Sequence, residues 1–334
     1  MAFERLTPAW ADVQVKGAPQ KLEKGLKIDL TVRKFGIPVD CQFVVTDLET
    51  DKFFADQQLK GPFAFWRHEH KFDVISDSRS LMNDSVQYSL PLGFLSEGFA
   101  GPLMDGDLER LFRYRHEILK NDLSAYMRNQ NQPRMNVLIF CTPDALQAPL
   151  ASYLSTQGHC VLTPGLKETA AVEEYSEILS RPIETYIHVD DLGSSWRSAN
   201  LGIINRLVES KHLKTYIEVH DTHDNSNENF EQRCAPLRAA SVRCIYVRTG
   251  AILSAAFGVL KNNSNWKSET QPWVAVDDVA SAIEFCMLTE SIDGQVHLSA
   301  NQKKPPTKEF RTMLECGYPF RYQSLTAARR HVLK

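Results

Sequence analysis

The feature that most constrains this chain is a change of hydrophobic rhythm beginning at Asn136. Asn136-Val137-Leu138-Ile139-Phe140 is a short unbroken apolar run, the pattern of a parallel strand buried on both faces. Leu146 to Gln157 then reads as a helix, His159-Cys160-Val161-Leu162 and Thr185-Tyr186-Ile187-His188-Val189 as strands, and Trp196 to Ser210 as a second helix. Thr215-Tyr216-Ile217-Glu218-Val219, Glu228 to Ala240 and Arg243-Cys244-Ile245-Tyr246-Val247-Arg248 continue the alternation. Strands and helices in strict succession predict an α/β doubly wound parallel sheet of the Rossmann type.

The first half reads differently. Ile28 to Arg33, Cys41 to Val45, Phe63 to Phe72 and Ser85 to Leu90 have strand character, separated by turn formers at Gly36, Pro38, Gly61-Pro62 and Asp77-Ser78. Leu108, Leu111, Phe112, Arg115, Leu119, Leu123 and Tyr126 follow at three- and four-residue steps, which predicts one long helix with an apolar face. Antiparallel strands closed by a helix make this part α+β. The polar run Asn129-Gln130-Asn131-Gln132-Pro133-Arg134 cannot contribute to a core, so the expected domains are 1–128 and 135–334, with a linker over 129–134. At 334 residues the chain is long enough for two cores.

Bulk composition narrows the partners. The net charge of -3 gives no electrostatic footprint for nucleic acid or an anionic membrane. No run approaches the roughly 20 apolar residues of a membrane helix, and the first residues, Met1 to Arg5, lack a secretory pattern. A cytoplasmic protein is the expectation. The seven cysteines are scattered singly without a CxxC pair, so they read as reduced thiols rather than disulfides or a zinc site.

Several blocks carry a family likeness. Phe3-Glu4-Arg5-Leu6-Thr7-Pro8-Ala9-Trp10, Phe53-Phe54-Ala55-Asp56-Gln57, Gly61 to Phe72, Asp84 to Gly93 and Leu111 to His116 resemble the polyketide-cyclase or START-like domain found fused to certain sugar-epimerase-like proteins. Asn136 to Leu150, Val242 to Ser254 and Pro272 to Ile283, leading to Gly294-Gln295-Val296, resemble its fusion partner. That partner is an atypical extended short-chain dehydrogenase labelled nucleotide-sugar epimerase or cell-division-inhibitor-like. The resemblance implies a START-like helix-grip fold for the first domain, with an apolar ligand held between a curved sheet and the long helix. It places Trp66, His68, His70, Tyr88, Phe112, Arg115 and His116 near that space. The family's domain begins with a strand upstream of the position of Phe3, so the expectation is an open sheet edge, an upstream start outside this sequence, or a strand supplied by another chain. A second copy or another chain could pair with such an edge.

For the second domain the resemblance implies an NAD(P) site, and the residues depart from it. A pyrophosphate needs glycines after the first strand, so that bare backbone and a helix N-terminus can approach it. The turn here runs through Cys141, Thr142, Asp144 and Gln147, with Cys141, Asp144 and Gln147 standing where the family has glycine. Thr163-Pro164-Gly165 replaces the basic reader of a 2′-phosphate. After Thr215 to Val219 the chain reads His220-Asp221-Thr222-His223-Asp224-Asn225 in place of a YxxxK pair, which removes the expected acid–base step. His220, Asp221 and His223 are weak substitutes at a strand's C-terminal edge. The C-terminal region, passing quickly from Gln295–Ala300 to Glu309-Phe310 and then to Cys316–Tyr322, is shorter than the resemblance implies and leaves little to enclose a sugar.

These departures together predict a non-catalytic, or nearly inactive, binding or regulatory protein with no cofactor. Two alternatives are an NAD(P)-dependent oxidoreductase or epimerase with a displaced site and a carrier of an apolar small molecule in the first domain. His68 and His70 alternate onto one strand face. Without a third ligand nearby in sequence no metal is expected there.

Overall fold

The structure, a computed structural model, describes residues 3–17, 21–34, 37–77, 79–91, 94–141, 146–164, 172–189, 195–220, 230–254, 271–301 and 310–333. Its contacts divide the chain into two units: Leu6–Glu117, and a second that joins Met1–Arg5 to Ile118–Lys334.

The first unit is built on a six-stranded antiparallel sheet in sequence order. The strands are β1 (Val13–Lys16), β2 (Lys27–Lys34), β3 (Ile37–Glu49), β4 (Phe53–Lys60), β5 (Phe65–Ser76) and β6 (Arg79–Ser89). Short connections enforce the neighbour pairing. Asp51, with φ of 62°, turns the tip between β3 and β4, a left-handed conformation that aspartate tolerates. In β6 the residues alternate strictly, with Met82, Asp84, Val86 and Tyr88 covered and Leu81, Asn83, Ser85 and Gln87 exposed. One face of the sheet is therefore covered, and the helix α1 (Phe94–Arg128) packs on it: the Phe112 ring lies 5.1 Å from His68, and Tyr88 Oη donates to Asp105 at 2.7 Å. Residues of α1 up to Glu117 belong to this unit and those from Ile118 onward to the other.

In the second unit, seven parallel strands run in the order β15-β14-β11-β10-β9-β7-β8. They are β7 (Asn136–Phe140), β8 (Cys160–Leu162), β9 (Thr185–Val189), β10 (Thr215–His220), β11 (Arg243–Thr249), β14 (Gly294–Leu298) and β15 (Phe310–Thr312). A separate parallel pair, β12 (Ala251–Leu253) and β13 (Trp273–Ala275), adjoins it in sequence. The helices are α2 (Gln147–Thr156), α3 (Ser176–Leu179), α4 (Ser195–Ser210), α5 (Phe230–Ala239), α6 (Val276–Leu288) and α7 (Leu325–Leu333).

The two-residue period of the strands sorts this unit's core into two layers. Val137, Ile139, Ile217, Val219, Ile245 and Val247 join α2 and α6 on one face. Leu138, Phe140, Tyr216, Cys244 and Tyr246 join α4 and α5 on the other. This double-sided burial is what the unbroken apolar run at Asn136 demanded. It makes the unit a Rossmann-type α/β domain. Strand order reverses at β7, with β8 on one side and β9 on the other, so the crevice where open α/β sheets bind ligands lies beyond the C-terminal ends of β7 and β9.

Ionic groups lock this unit internally. Arg5 pairs with Asp122 at 2.8 Å and with Asp277, Arg321 reaches Asp122 at 3.2 Å, and His331 reaches Asp277 at 2.7 Å, all buried. Arg243 donates to the carbonyls of Cys286, Met287, Thr289 and Ile292, satisfying acceptors that the end of α6 leaves without intrahelical partners.

Candidate functional site

Two clusters of titratable groups stand where the sequence placed candidate sites, one in each unit.

In the first unit the covered sheet face gathers His68, His70, Asp56 and Asp84. Antiparallel register explains why: Asp56 lies directly opposite His68 across β4 and β5, and His70 directly opposite Asp84 across β5 and β6. Opposed residues share a face, as do residues two apart on one strand. His70 Nδ1 is 2.5 Å from Asp84 Oδ1, and His116, from α1, places Nε2 2.7 Å from Asp84 Oδ2. His68 Nδ1 stands 3.6 Å from Asp56 and its Nε2 3.9 Å from Asp84. His68 is 5% exposed, among the most buried residues of the unit, and its Nε2 completes no hydrogen bond.

Aromatic rings frame these groups. His70 stacks on Phe54 at 4.0 Å, Phe112 meets His68 edge-on, and Trp66 contacts Phe43, Phe63 and Tyr88. These rings are half-buried rather than sealed in a core. The electrostatics follow from burial and pairing. Burial pushes the His70 imidazole below its ordinary value, assisted by the neighbouring His68 and opposed by Asp84. For Asp84, burial alone would raise the carboxyl, but the hydrogen bonds from His70 and His116 outweigh it and hold it low. Arg115 is depressed by burial while feeling both Asp84 and Asp56, and its Nε donates to the Leu6 carbonyl at 3.1 Å.

All seven residues assigned here from sequence fall in one neighbourhood. His68, His70, Phe112, Arg115 and His116 converge on Asp84 and Asp56, with Trp66 and Tyr88 alongside. The two carboxylates were not singled out from sequence. Asp56 sits in Phe53-Phe54-Ala55-Asp56-Gln57-Gln58, whose polar half hides strand β4, and Asp84 precedes the segment that reads as strand, while β6 begins at Arg79.

In the second unit His220 ends β10 and is buried, with Nε2 2.6 Å from Glu218 Oε1. Glu218 also accepts from Tyr216 Oη at 2.7 Å, from Arg233 Nε at 3.1 Å and from the Arg233 Nη2. Tyr186 donates to Asn200 at 2.6 Å, and Asn200 contacts the Tyr216 hydroxyl, so the polar chain runs across β9 and β10. Burial would raise Glu218, but His220 and Arg233 hold it at about 2. Burial lifts the Tyr186 and Tyr216 phenols well above their ordinary value, away from proton transfer near neutrality. Asp221, His223 and Asp224 lie outside the described residues, as do Thr142, Asp144 and Gly165.

The fold implies a dinucleotide at the end of β7, and the described residues there do not fit one. Cys141 is 1% exposed and packs into the apolar layer with Leu146 and Leu150, and Gln147 opens α2 with a half-buried side chain. Both carry Cβ atoms where a pyrophosphate requires bare backbone.

No protein-family model and no curated protein matches the sequence. Among solved structures, the nucleoside-diphosphate sugar epimerase from Corynebacterium glutamicum is similar over 99% of this chain and 85% of its own, with a TM-score of 0.74 and 19% identity. The chain thus shares that structure's fold. A UDP-glucose-4-epimerase from Stenotrophomonas maltophila covers 62% of the chain at 13% identity and TM-score 0.38, spanning 92% of its own length. An anaerobilin reductase from Escherichia coli O157:H7 covers 58% at 16% identity and TM-score 0.29, spanning 94% of its own length. Among the described residues no helix is long and apolar enough to cross a membrane.

Proposed function

We propose that the protein is a ligand-binding, regulatory relative of epimerase-type proteins that does not transfer hydride. In this reading the first unit is a helix-grip domain that takes up a small apolar or aromatic molecule, and the Rossmann-type unit serves as its scaffold. One observation carries it: the buried Nε2 of His68, without a hydrogen-bond partner, lies among half-buried aromatic rings beside Asp84. Leaving such an atom unsatisfied costs about 1–3 kcal/mol, a cost that a bound molecule relieves. The groups at the end of β10 support the same division of labour, since Glu218 is already committed to Arg233, His220 and Tyr216.

The second reading is an NAD(P)-dependent oxidoreductase or epimerase with a displaced cofactor site, favoured by the fold likeness to the sugar epimerase. Calorimetric titration with NADH and NADPH separates the two. The scaffold reading expects no binding by the native chain. Micromolar binding overturns it and directs the search for catalysis to His220, Asp221 and His223. Gain of binding in a folded Cys141→Gly, Asp144→Gly, Gln147→Gly variant would identify the altered turn as the cause. Mass spectrometry of an organic extract of the purified protein tests the first unit: a co-purifying small molecule, lost in Trp66→Ala, is the expected result.

A further inference from the structure

We infer that Asp56, His68 and His70 form a binding site for a first-row divalent cation, with Asp84 as the carboxylate that orients His70. The inference rests on the reading of this unit as the ligand-binding half and gives its site a chemistry: the cation would hold the polar head of the ligand against the aromatic rings.

Each of the three residues offers one donor atom, and those atoms lie within 4.8 Å of one another. Metal–ligand bonds of about 2.0–2.2 Å place donors around a tetrahedral ion about 3.4 Å apart, so a rotamer adjustment suffices to close the set. The scaffold is rigid: the ligands come from two adjacent strands in fixed register, Asp56 opposite His68, with His70 two residues further along the same face. Sites on regular strands hold geometry better than sites on loops.

The unused hydrogen-bonding capacity points to a ligand independently of the spacing. The His68 side chain is 6% exposed, and its Nε2 has no hydrogen-bond partner. An imidazole nitrogen buried without a donor or acceptor is unfavourable in an apo cluster and is satisfied by a metal bond. Around the triad, Asp84 touches both His70 and His116, the carboxylate–histidine arrangement that fixes the ring and raises ligand basicity in metal centres. Charge is compatible as well. Two carboxylates, Asp56 and Asp84, act on the Arg115 guanidinium, so the cluster carries negative groups that a dication would meet.

The donor set selects the ion class. Two imidazoles and one carboxylate suit zinc, iron or cobalt, whereas calcium and magnesium demand oxygen donors. Three protein ligands also leave a coordination position open for an organic ligand or water.

The test uses the full chain after chelator treatment, titrated with cobalt(II) chloride and followed by visible absorption. Zinc(II) displacement is followed by calorimetry, and X-ray absorption is recorded at the zinc edge. The expected result is one cation per chain at micromolar strength or tighter, with nitrogen and oxygen ligation consistent with two imidazoles and no sulfur. Binding should weaken at least tenfold in Asp56→Asn, His68→Gln and His70→Gln, and tenfold to a hundredfold in Asp84→Asn. It should be unchanged in Cys160→Ser, which removes an exposed thiol. Absence of saturable binding, sulfur in the coordination shell, or binding indifferent to both histidine substitutions would overturn the inference. The absorption spectrum of the native protein keeps the test decisive even where a variant fails to fold. The organic extract of the same stripped protein distinguishes the two readings: a retained small molecule without cation binding defeats the cation alone, and absence of both defeats the ligand-binding reading with it.

Discussion

Replacing Glu218 by glutamine removes the centre of a fully buried charge cluster, and the structure sets the magnitude by two routes. Glu218 is 0% exposed and accepts from His220, Arg233 and Tyr216. Its carboxyl moves from an ordinary 4.5 to about 2 on folding, which corresponds to about 3 kcal/mol of stability at neutral pH. Removing one member of a buried ion pair leaves the other uncompensated, at a cost of about 3–5 kcal/mol. The two routes agree at about 3 kcal/mol for Glu218→Gln at pH 7. The sign with pH follows, because a depressed carboxylate contributes stability above its unfolded value and loses it as pH falls through the folded one. The gap between native protein and variant should therefore be full above about pH 4.5 and shrink steadily toward pH 2. Hydrogen exchange of β10 and β11 amides, read by mass spectrometry, isolates this unit from the other and avoids assuming two-state unfolding of the whole chain. The double variant Glu218→Met, Arg233→Met should recover much of the loss, since a buried pair replaced by apolar side chains is often neutral or stabilising. A penalty under about 1 kcal/mol at pH 7, or one that does not change with pH, would refute the reasoning.

Three further outcomes follow from the second unit. Asp278 is raised to about 6 by burial, against an ordinary 3.8; as pH rises from 3 to 7 the native protein should lose about 3 kcal/mol relative to Asp278→Asn, measured by the same exchange method. Arg243→Lys replaces a guanidinium that bridges four carbonyls with a single ammonium and should cost about 2 kcal/mol, read as faster exchange through α6. A Cβ added at Gly250 would lie 2.7 Å from backbone atoms of Pro272 and Trp273, so Gly250→Ala should destabilise the pairing of β12 with β13 by about 1–3 kcal/mol in thermal unfolding.

Much of the architecture was legible because hydrophobic period reports burial directly. Asn136 to Phe140 and Thr185 to Val189 match β7 and β9, and the helix from Trp196 to Ser210 matches α4 apart from its first residue. Strand β4 was hidden because Asp56, Gln57 and Gln58 break the apolar alternation, and β1 because four residues give too little pattern to read. The site was half legible for the same reason. Alternation placed His68 and His70 on one face, but no local rule connects either to Asp56 or Asp84. Those neighbours are set by the register of strands β4 and β6, and register is fixed by turns and by the whole covered face. The Glu218–Arg233 pair escaped for a related reason, since a charged residue inside Thr215 to Val219 looks like an edge signal until a partner on α5 is known.

The ionic lock of Arg5, Asp122, Asp277, Arg321 and His331 has a consequence for the order in which the chain acquires structure. The antiparallel unit lies between the Arg5 and Ile118 segments of its host, as an insertion does. During synthesis its strands are complete long before Asp277 and His331 emerge, while Arg5 is made before any of them. The guest can therefore reach its final contacts early, but the host must wait for Asp277 to pair with Arg5 and for α7 to bring His331 to Asp277. A nascent chain halted before α7 would carry Asp277 without the imidazole of His331. Arrest at that point, followed by proteolysis, should yield a protected Leu6–Glu117 fragment beside a digestible remainder.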